Sequence, residues 1–315
     1  MLKPESLEKM IRKSLQLALV ISLFLNISVE GKERLLTDET GRNVMVPQSA
    51  KKIVSLAPSI TEILFALGLN EEIAAVTDFC DYPAAASTKP KIGGFVNPDI
   101  ERIVSLKPDL IIGIRDGNRM DTVHRLNDFG FPVYLIDPKG FDGIMLTINN
   151  IGEIVGRQDE ARRISRNMLL KKKEAMSLTQ SLSKPKVFFQ VGDAPIVTVG
   201  RGTLADDLIR LAGGKSISED EPMSYPLYSV ETILSKAPEI IIMSSMEGSK
   251  DYLNLIRKWQ NWTTLPAVRM NAIHVVDSNL VDRPTPRIEK GIDALMRIIH
   301  PEVLIEKNHH QGKTH

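Results

Sequence analysis

Two twelve-residue segments of this chain, residues 101–112 and 231–242, have almost the same sequence. At a constant offset of 130 positions (231 − 101), six residue pairs are identical and three more are chemically alike. Each copy predicts a short helix, a turn with proline and an acidic residue, and a strand that is apolar on both faces. Such a strand belongs in a parallel sheet that helices cover on both sides. The chain is therefore predicted to contain two related α/β lobes rather than a solenoid of many repeats.

The segment between the two copies, residues 158–182, contains neither glycine nor proline. Its apolar residues recur roughly at helical spacing, with lysines and arginines between them. At 1.5 Å per residue such a helix is roughly 35 Å long, about the height of a small domain. Gly156 is expected to end a preceding helix at residues 143–155. The segment alone fits an ordinary surface helix equally well, but its place between the two copies favours a connection between lobes.

The predicted fold class is α/β, with two Rossmann-like lobes joined by a single long backbone helix. Residues 32–140 are assigned to the N-terminal lobe and residues 184–305 to the C-terminal lobe. Residues 141–183 are assigned to the connecting helices, and residues 306–315 to a disordered tail.

Residues 1–31 have the pattern of a signal peptide, with four basic side chains near the start followed by an apolar stretch. The alternative is an uncleaved membrane anchor. No cysteine stands directly after the apolar stretch, which argues against a lipid-modified N-terminus. We therefore expect export to the periplasm.

The composition excludes several classes of function. Without residues 1–31 the chain has 36 basic and 36 acidic side chains, so it has no electrostatic footprint for nucleic acid. The single cysteine, Cys80, cannot form an internal disulfide or a thiolate metal site. The sequence contains no phosphate-binding loop, nucleophile elbow or zinc-protease motif. We expect a monomeric protein that is not an enzyme and has no cofactor or metal of its own.

Ligands of open parallel sheets bind outside the carboxyl ends of the strands. The loops predicted at those ends contain Phe79, Tyr82 and Arg283, and Phe95 and Tyr225 stand in loops just before the two repeat helices. Large aromatic side chains bind ligands at low entropic cost. They could equally pack at the rim of the cleft.

Glu101 and Glu231 occupy equivalent positions of the two copies, each in the first turn of a predicted helix. One interpretation is that each carboxylate interacts with the dipole of its own helix. The other is that two acidic side chains, one per lobe, bind a partner with two equivalent basic pockets.

Four motifs together resemble one protein family: residues 52–62, 78–83, 97–112 and the Arg-Pro-Thr-Pro-Arg sequence of residues 283–287. They are similar to those of the helical-backbone periplasmic binding proteins, which deliver cobalamin, ferric siderophores or haem to ATP-driven importers. The resemblance covers about residues 35–299 and is strongest to the cobalamin-binding branch. It implies a transported corrinoid, with a ferric siderophore or haem as the alternative. A chelatase-like enzyme on the same architecture would need a cluster of cleft histidines or carboxylates, which the sequence does not show.

The resemblance also implies roles for individual residues. Phe79 stands where the family has tyrosine, and Phe95 and Tyr225 stand where it has tryptophan. Arg283 matches a cleft arginine, and the pair Glu101 and Glu231 matches the glutamates that dock on arginines of the transmembrane permease dimer. At Ile114 and Val191 the family has further aromatic residues that this chain lacks.

Overall fold

The protein structure, a computed structural model, describes residues 33–245 and 251–303. It begins with an antiparallel hairpin of β1 (Glu33–Thr37) and β2 (Asn43–Pro47), as the turn residues between them predict. The predicted signal peptide and the predicted tail lie outside the described residues. No helix within the described ranges is long and apolar enough to cross a membrane.

The N-terminal lobe is built on a parallel sheet of four strands in the order β4-β3-β5-β6. Helices separate these strands along the chain, which is the arrangement that parallel pairing requires. The elements in chain order are β3 (Ile53–Ser55), α1 (Pro58–Ala66), β4 (Ile73–Val76), α2 (Ile100–Leu106), β5 (Leu110–Ile114), α3 (Met120–Asp128) and β6 (Val133–Ile136).

The C-terminal lobe is built on a second sheet, in which the strands β11, β10 and β7 are parallel neighbours. The other edge of β7 pairs with an antiparallel strand, β8, and a short parallel strand, β9. The elements in chain order are β7 (Lys186–Asp193), β8 (Ile196–Thr198), α6 (Leu204–Leu211), β9 (Lys215–Ser216), α7 (Val230–Lys236), β10 (Ile240–Ser245), α8 (Asp251–Gln260), α9 (Pro266–Arg269), β11 (Ile273–Asp277), α10 (Ser278–Val281) and α11 (Ile288–Ile299).

The sequence repeat corresponds to a repeat in structure. Helices α2 and α7 each have seven residues, and each ends at a left-handed residue, Lys107 with φ 49° and Ala237 with φ 48°. In the turns that follow, Asp109 accepts backbone hydrogen bonds from Lys51 and Lys52. Glu239 accepts one from Lys186 in the same way. The acidic residue of the repeat therefore ties each turn to the chain that enters the first strand of its lobe.

Two helices, α4 (Gly140–Ile154) and α5 (Gln158–Thr179), connect the lobes. The long helix begins where the sequence predicts and ends three residues earlier, and Gly156 has the left-handed φ of 70° that ends the preceding helix. Helix α4 begins at Gly140 instead of residue 143, because the Asp207 carboxylate from the other lobe accepts a hydrogen bond from the Phe141 backbone N–H at 2.9 Å. A capping group that comes from tertiary structure leaves no local signal in the sequence.

One apolar core runs through both lobes by way of α4 and α5 and contains Phe141, Ile164 and Phe189. The opposite face of each sheet packs against its own smaller core, which includes Ile111 in the N-terminal lobe and Ile241 in the C-terminal lobe. The strands of the repeat are buried on both faces, which is why they are uniformly apolar.

Candidate functional site

A cleft of about 780 Å³ lies between the two lobes. It opens at the carboxyl ends of β3, β5 and β6, where open parallel sheets bind their ligands. The N-terminal lobe contributes residues that follow each of these strands, among them Ala57, Asp116 and Pro138. The C-terminal lobe contributes the segment before α6, the loop around Tyr225 and the loop after α10. The volume falls in the upper part of the range of small-molecule pockets, about 300–1,000 Å³.

Three of the predicted aromatic residues, Phe79, Phe95 and Tyr225, line this cleft from both lobes. Phe79 and Tyr225 remain 57% and 59% exposed, whereas Phe95 is half-buried. Solvent-exposed aromatic surface gathered in a concave site is characteristic of a ligand-binding surface.

The backbone of Phe95 is held in place by its surroundings, and its ring fills the space over a glycine. The buried Asn118 side chain donates a hydrogen bond to the Phe95 carbonyl at 3.0 Å and accepts one from the Ile114 backbone N–H at 2.8 Å. The ring lies directly over Gly117, where a Cβ atom would stand 1.9 Å from its Cζ. Only glycine therefore lets the ring take this position.

The loop that bears Tyr225 is held by backbone hydrogen bonds to β8 and to the residues after it. Thr198 N–H donates to the Pro226 carbonyl at 3.1 Å, and Gly200 N–H donates to the Ser224 carbonyl at 2.8 Å. Reduced hydration and the nearby carboxylates of Asp282 and Asp116 raise the pKa of Tyr225. A raised pKa keeps this phenol protonated at neutral pH.

Arg283 also lines the cleft, but its charge is already paired. Its guanidinium lies 2.8 Å from the Asp81 carboxylate and 3.3 Å from the Glu62 carboxylate, both in the opposite lobe. Tyr82 does not line the cleft cavity; its ring lies under the Arg287 guanidinium, 3.8 Å from ring centroid to Cζ. This geometry is a cation–π contact across the lobe boundary.

The other cation of the cleft wall, Lys139, is paired as well. Its ammonium lies 2.7 Å from Asp137 and 3.1 Å from Asp116. Hydrogen bonds to these two carboxylates outweigh the loss of hydration and raise the pKa of Lys139. Asp282 lies nearby on the opposite wall and accepts a hydrogen bond from the Ser244 hydroxyl. The protein around Asp282 limits its hydration and raises its pKa.

Glu101 and Glu231 are both exposed and lie in the first turns of α2 and α7. The N-caps of these helices are Asp99 and Ser229, whose side chains accept backbone hydrogen bonds from the first turn. Both helices begin a few residues after a segment that lines the cleft. The pKa of Glu231 is lowered because its carboxylate accepts hydrogen bonds from its own backbone N–H and from Ser229. The caps come from other residues, so neither glutamate is needed as an N-cap.

Sequence reasoning missed the buried Glu62, which pairs with Arg283 and Arg287 across the lobe boundary. Its position in α1 gives no sign of partners more than 220 residues away. Within residues 33–245 and 251–303, no group of three or more His, Cys, Asp or Glu side chains could hold a metal ion.

Known proteins of similar sequence and structure share this architecture. A vitamin B12-binding protein of Vibrio parahaemolyticus is 28% identical over 249 residues, which is 79% of this chain and 89% of that protein. The crystal structure of the periplasmic vitamin B12-binding protein BtuF of Vibrio cholerae superposes with a TM-score of 0.71 at 28% identity, covering 80% of this chain and 98% of that one. The haem-binding protein RhuT from Roseiflexus matches the fold with a TM-score of 0.71 at 23% identity, covering 81% and 100% of the two chains. The model of the family described as periplasmic binding protein matches residues 53–280, and this chain therefore belongs to that family, in the class whose two α/β lobes are joined by a long helix.

Proposed function

We propose that this chain is an exported substrate-binding protein that captures a corrinoid in the interlobe cleft and delivers it to the permease of an ABC transporter. Three aromatic side chains from two lobes, Phe79, Phe95 and Tyr225, offer apolar area on facing walls. A large, nearly neutral macrocycle suits such a surface. The relatives that are 28% identical and bind vitamin B12 support the same ligand class.

The observation that carries the choice of ligand is the charge of the cleft. Among the described residues that line it, the two cations are Lys139 and Arg283, and each is paired with two carboxylates of the protein. The propionates of haem, or an anionic siderophore, would meet cations whose charge the protein's own carboxylates already balance, so the cleft offers them little net attraction. A corrinoid instead brings amide N–H groups around its ring, and these match acceptors such as Asp282.

The permease is the proposed macromolecular partner. An importer with two like transmembrane subunits presents the same surface twice, and this chain presents Glu101 and Glu231 at equivalent positions of its two lobes. A carboxylate can accept two parallel hydrogen bonds from one arginine, which fixes orientation as well as adding energy.

Titration calorimetry of the chain without residues 1–31 tests the ligand. Cyanocobalamin, a ferric hydroxamate and haemin are titrated separately under identical conditions. We expect a single cyanocobalamin site of micromolar or tighter affinity, with haemin and the hydroxamate bound more weakly. No heat from cyanocobalamin at micromolar concentration, together with saturable binding of either iron complex, would reject the corrinoid.

A further inference from the structure

Glu62 lies outside the cleft cavity, yet it contacts both arginines of the loop that forms one cleft wall. It stands on α1 of the N-terminal lobe, and its side chain is only 2% exposed. Arg287 forms two parallel hydrogen bonds with it, from Nε to Oε2 at 2.7 Å and from Nη2 to Oε1 at 2.5 Å. Arg283 donates to the same Oε1 at 3.3 Å. One carboxylate of the N-terminal lobe therefore binds two guanidinium groups of the C-terminal lobe.

The charges of this group cancel only when Glu62 is counted. Arg283 and Arg287 carry two positive charges, and Asp81 and Glu62 carry two negative ones. Arg283 is the member that lines the cleft, and its side chain is 21% exposed. Without Glu62 the group would hold one uncompensated positive charge at the cleft wall, partly shielded from water.

We infer that Glu62 is a specificity-determining residue that acts through Arg283: it neutralises the arginine pair from the opposite lobe and so makes the cleft reject anionic ligands. This inference rests on the proposal that the cleft is the ligand site, but it does not require the ligand to be a corrinoid. A partly buried unit charge attracts an anion far more strongly than a charge in bulk water does. Glu62 selects against anions without touching the ligand.

The contacts also give Glu62 a geometric role. Since its partners belong to the opposite lobe, the carboxylate holds the loop of Arg283 and Arg287 against α1 beside the mouth of the cleft. Tyr82, stacked under Arg287, lies in the N-terminal lobe and completes the contact. If the role of Glu62 were purely structural, its removal would change stability alone. A role in specificity predicts that its removal changes the affinity for anionic ligands relative to neutral ones.

The test is the affinity for haemin, which bears two propionates, and for cyanocobalamin, measured for the unmodified chain and four variants. Glu62→Gln keeps the shape and removes the charge, and we expect it to bind haemin about tenfold more tightly than the unmodified chain, with the gain decreasing in high salt. The double variant Glu62→Gln with Arg287→Gln restores neutrality and should return haemin affinity to the unmodified level. Glu72→Gln, which removes one negative charge beside Arg157 and outside the cleft lining, is the matched control and should leave it unchanged.

Asp81→Asn provides a variant that does not disturb a buried group, because the Asp81 side chain is 62% exposed. It should increase haemin affinity in the same direction by a smaller factor, and it decides the matter if Glu62→Gln does not fold. Unchanged haemin affinity in both Glu62→Gln and Asp81→Asn, or an equal gain in the neutral double variant, overturns the inference. Failure of the unmodified chain to bind cyanocobalamin would instead reject the proposed ligand, and the haemin comparison would still stand.

Discussion

The two lobes share one unit of helix, turn and strand, but they differ at the edge of the sheet that faces away from this unit. In the N-terminal lobe β3 pairs with the parallel strand β4. In the C-terminal lobe the same edge of β7 pairs with the antiparallel β8, and the loop of Tyr225 runs along β8. The common unit carries Glu101 and Glu231, and the divergent edges carry the aromatic residues. The two lobes thus present equivalent exposed glutamates, whereas the walls that they contribute to the cleft differ.

The largest expected effect concerns Glu101 and Glu231, which occupy equivalent positions of the two lobes. The double variant Glu101→Ala with Glu231→Ala should reduce ligand uptake by cells with the cognate importer by roughly tenfold or more, because both proposed docking contacts are lost. Ligand affinity and melting temperature should stay near their original values, since Asp99 and Ser229 cap the two helices. Each single variant should lose a similar share of uptake if the lobes dock equivalently.

Glu71→Ala removes an exposed glutamate outside the repeat and is the control for that experiment. Normal uptake in the double variant would reject docking through these residues. Uptake lost in only one single variant would show that the symmetry of the lobes does not extend to the partner.

The unlike cleft walls of the two lobes are tested by the variants Phe79→Ala, Phe95→Ala and Tyr225→Ala. Each truncation should weaken ligand binding by about 1–3 kcal/mol if the side chain is an anchor in the cleft. Titration calorimetry measures the loss, and Phe129→Ala, an equally exposed aromatic residue outside the cleft lining, is the matched control. Losses confined to the two N-terminal residues would show that one lobe alone binds the ligand. No loss in any of the three would remove them from the site.

Variants at two glycines test separately what positions the Phe95 ring and what positions the loop of Tyr225. Gly117→Ala would place a Cβ against the tip of the Phe95 ring, which can swing aside, whereas Gly200→Ala would place one 2.0 Å from the Met223 backbone carbonyl. We expect Gly117→Ala to weaken ligand binding with little change in stability. Gly200→Ala should weaken ligand binding and also lower the free energy of unfolding by about 1–3 kcal/mol, because the backbone must move. Thermal unfolding and calorimetry distinguish the two, and equal losses of stability would contradict the assignment.

The smallest expected effect concerns the acidic residue in the turn of each repeat copy. Asp109→Ala removes the acceptor of two backbone hydrogen bonds, and Glu239→Ala removes the acceptor of one. We expect Asp109→Ala to lower the free energy of unfolding by about 1–2 kcal/mol and Glu239→Ala by about half of that. Urea unfolding measures both. A larger loss in the C-terminal lobe would show that these turns are not equivalent.

Much of the fold could be predicted because the repeat and the long helix are local patterns. The start of the long helix at Gln158 and the left-handed end of the preceding helix at Gly156 follow from periodicity and glycine chemistry. The start of α4 could not, because Asp207 of the other lobe caps it. The antiparallel pairing of β8 could not be predicted either, since a short apolar run does not indicate which strand it pairs with or in which direction.

The candidate site was predictable in part for the same reason. Phe79 can be placed in a loop at the carboxyl end of a strand, and Tyr225 in the loop before a repeat helix, from the order of the predicted elements. The environment of Tyr82 and the pairing of Arg283 depend on Glu62 and Arg287, which are 225 residues apart in the chain. Long-range ion pairs leave no periodic trace, so the sequence indicates an arginine at the cleft but not that its charge is neutralised.

The most direct test of a cleft shared by two unlike lobes is the crystal structure of the chain bound to cyanocobalamin. We expect the corrin ring to lie between the lobes, in contact with Phe79 and Phe95 on one side and Tyr225 on the other, with Arg283 still paired to Glu62. A corrin bound outside this cleft, or in contact with a single lobe, would contradict the proposed site.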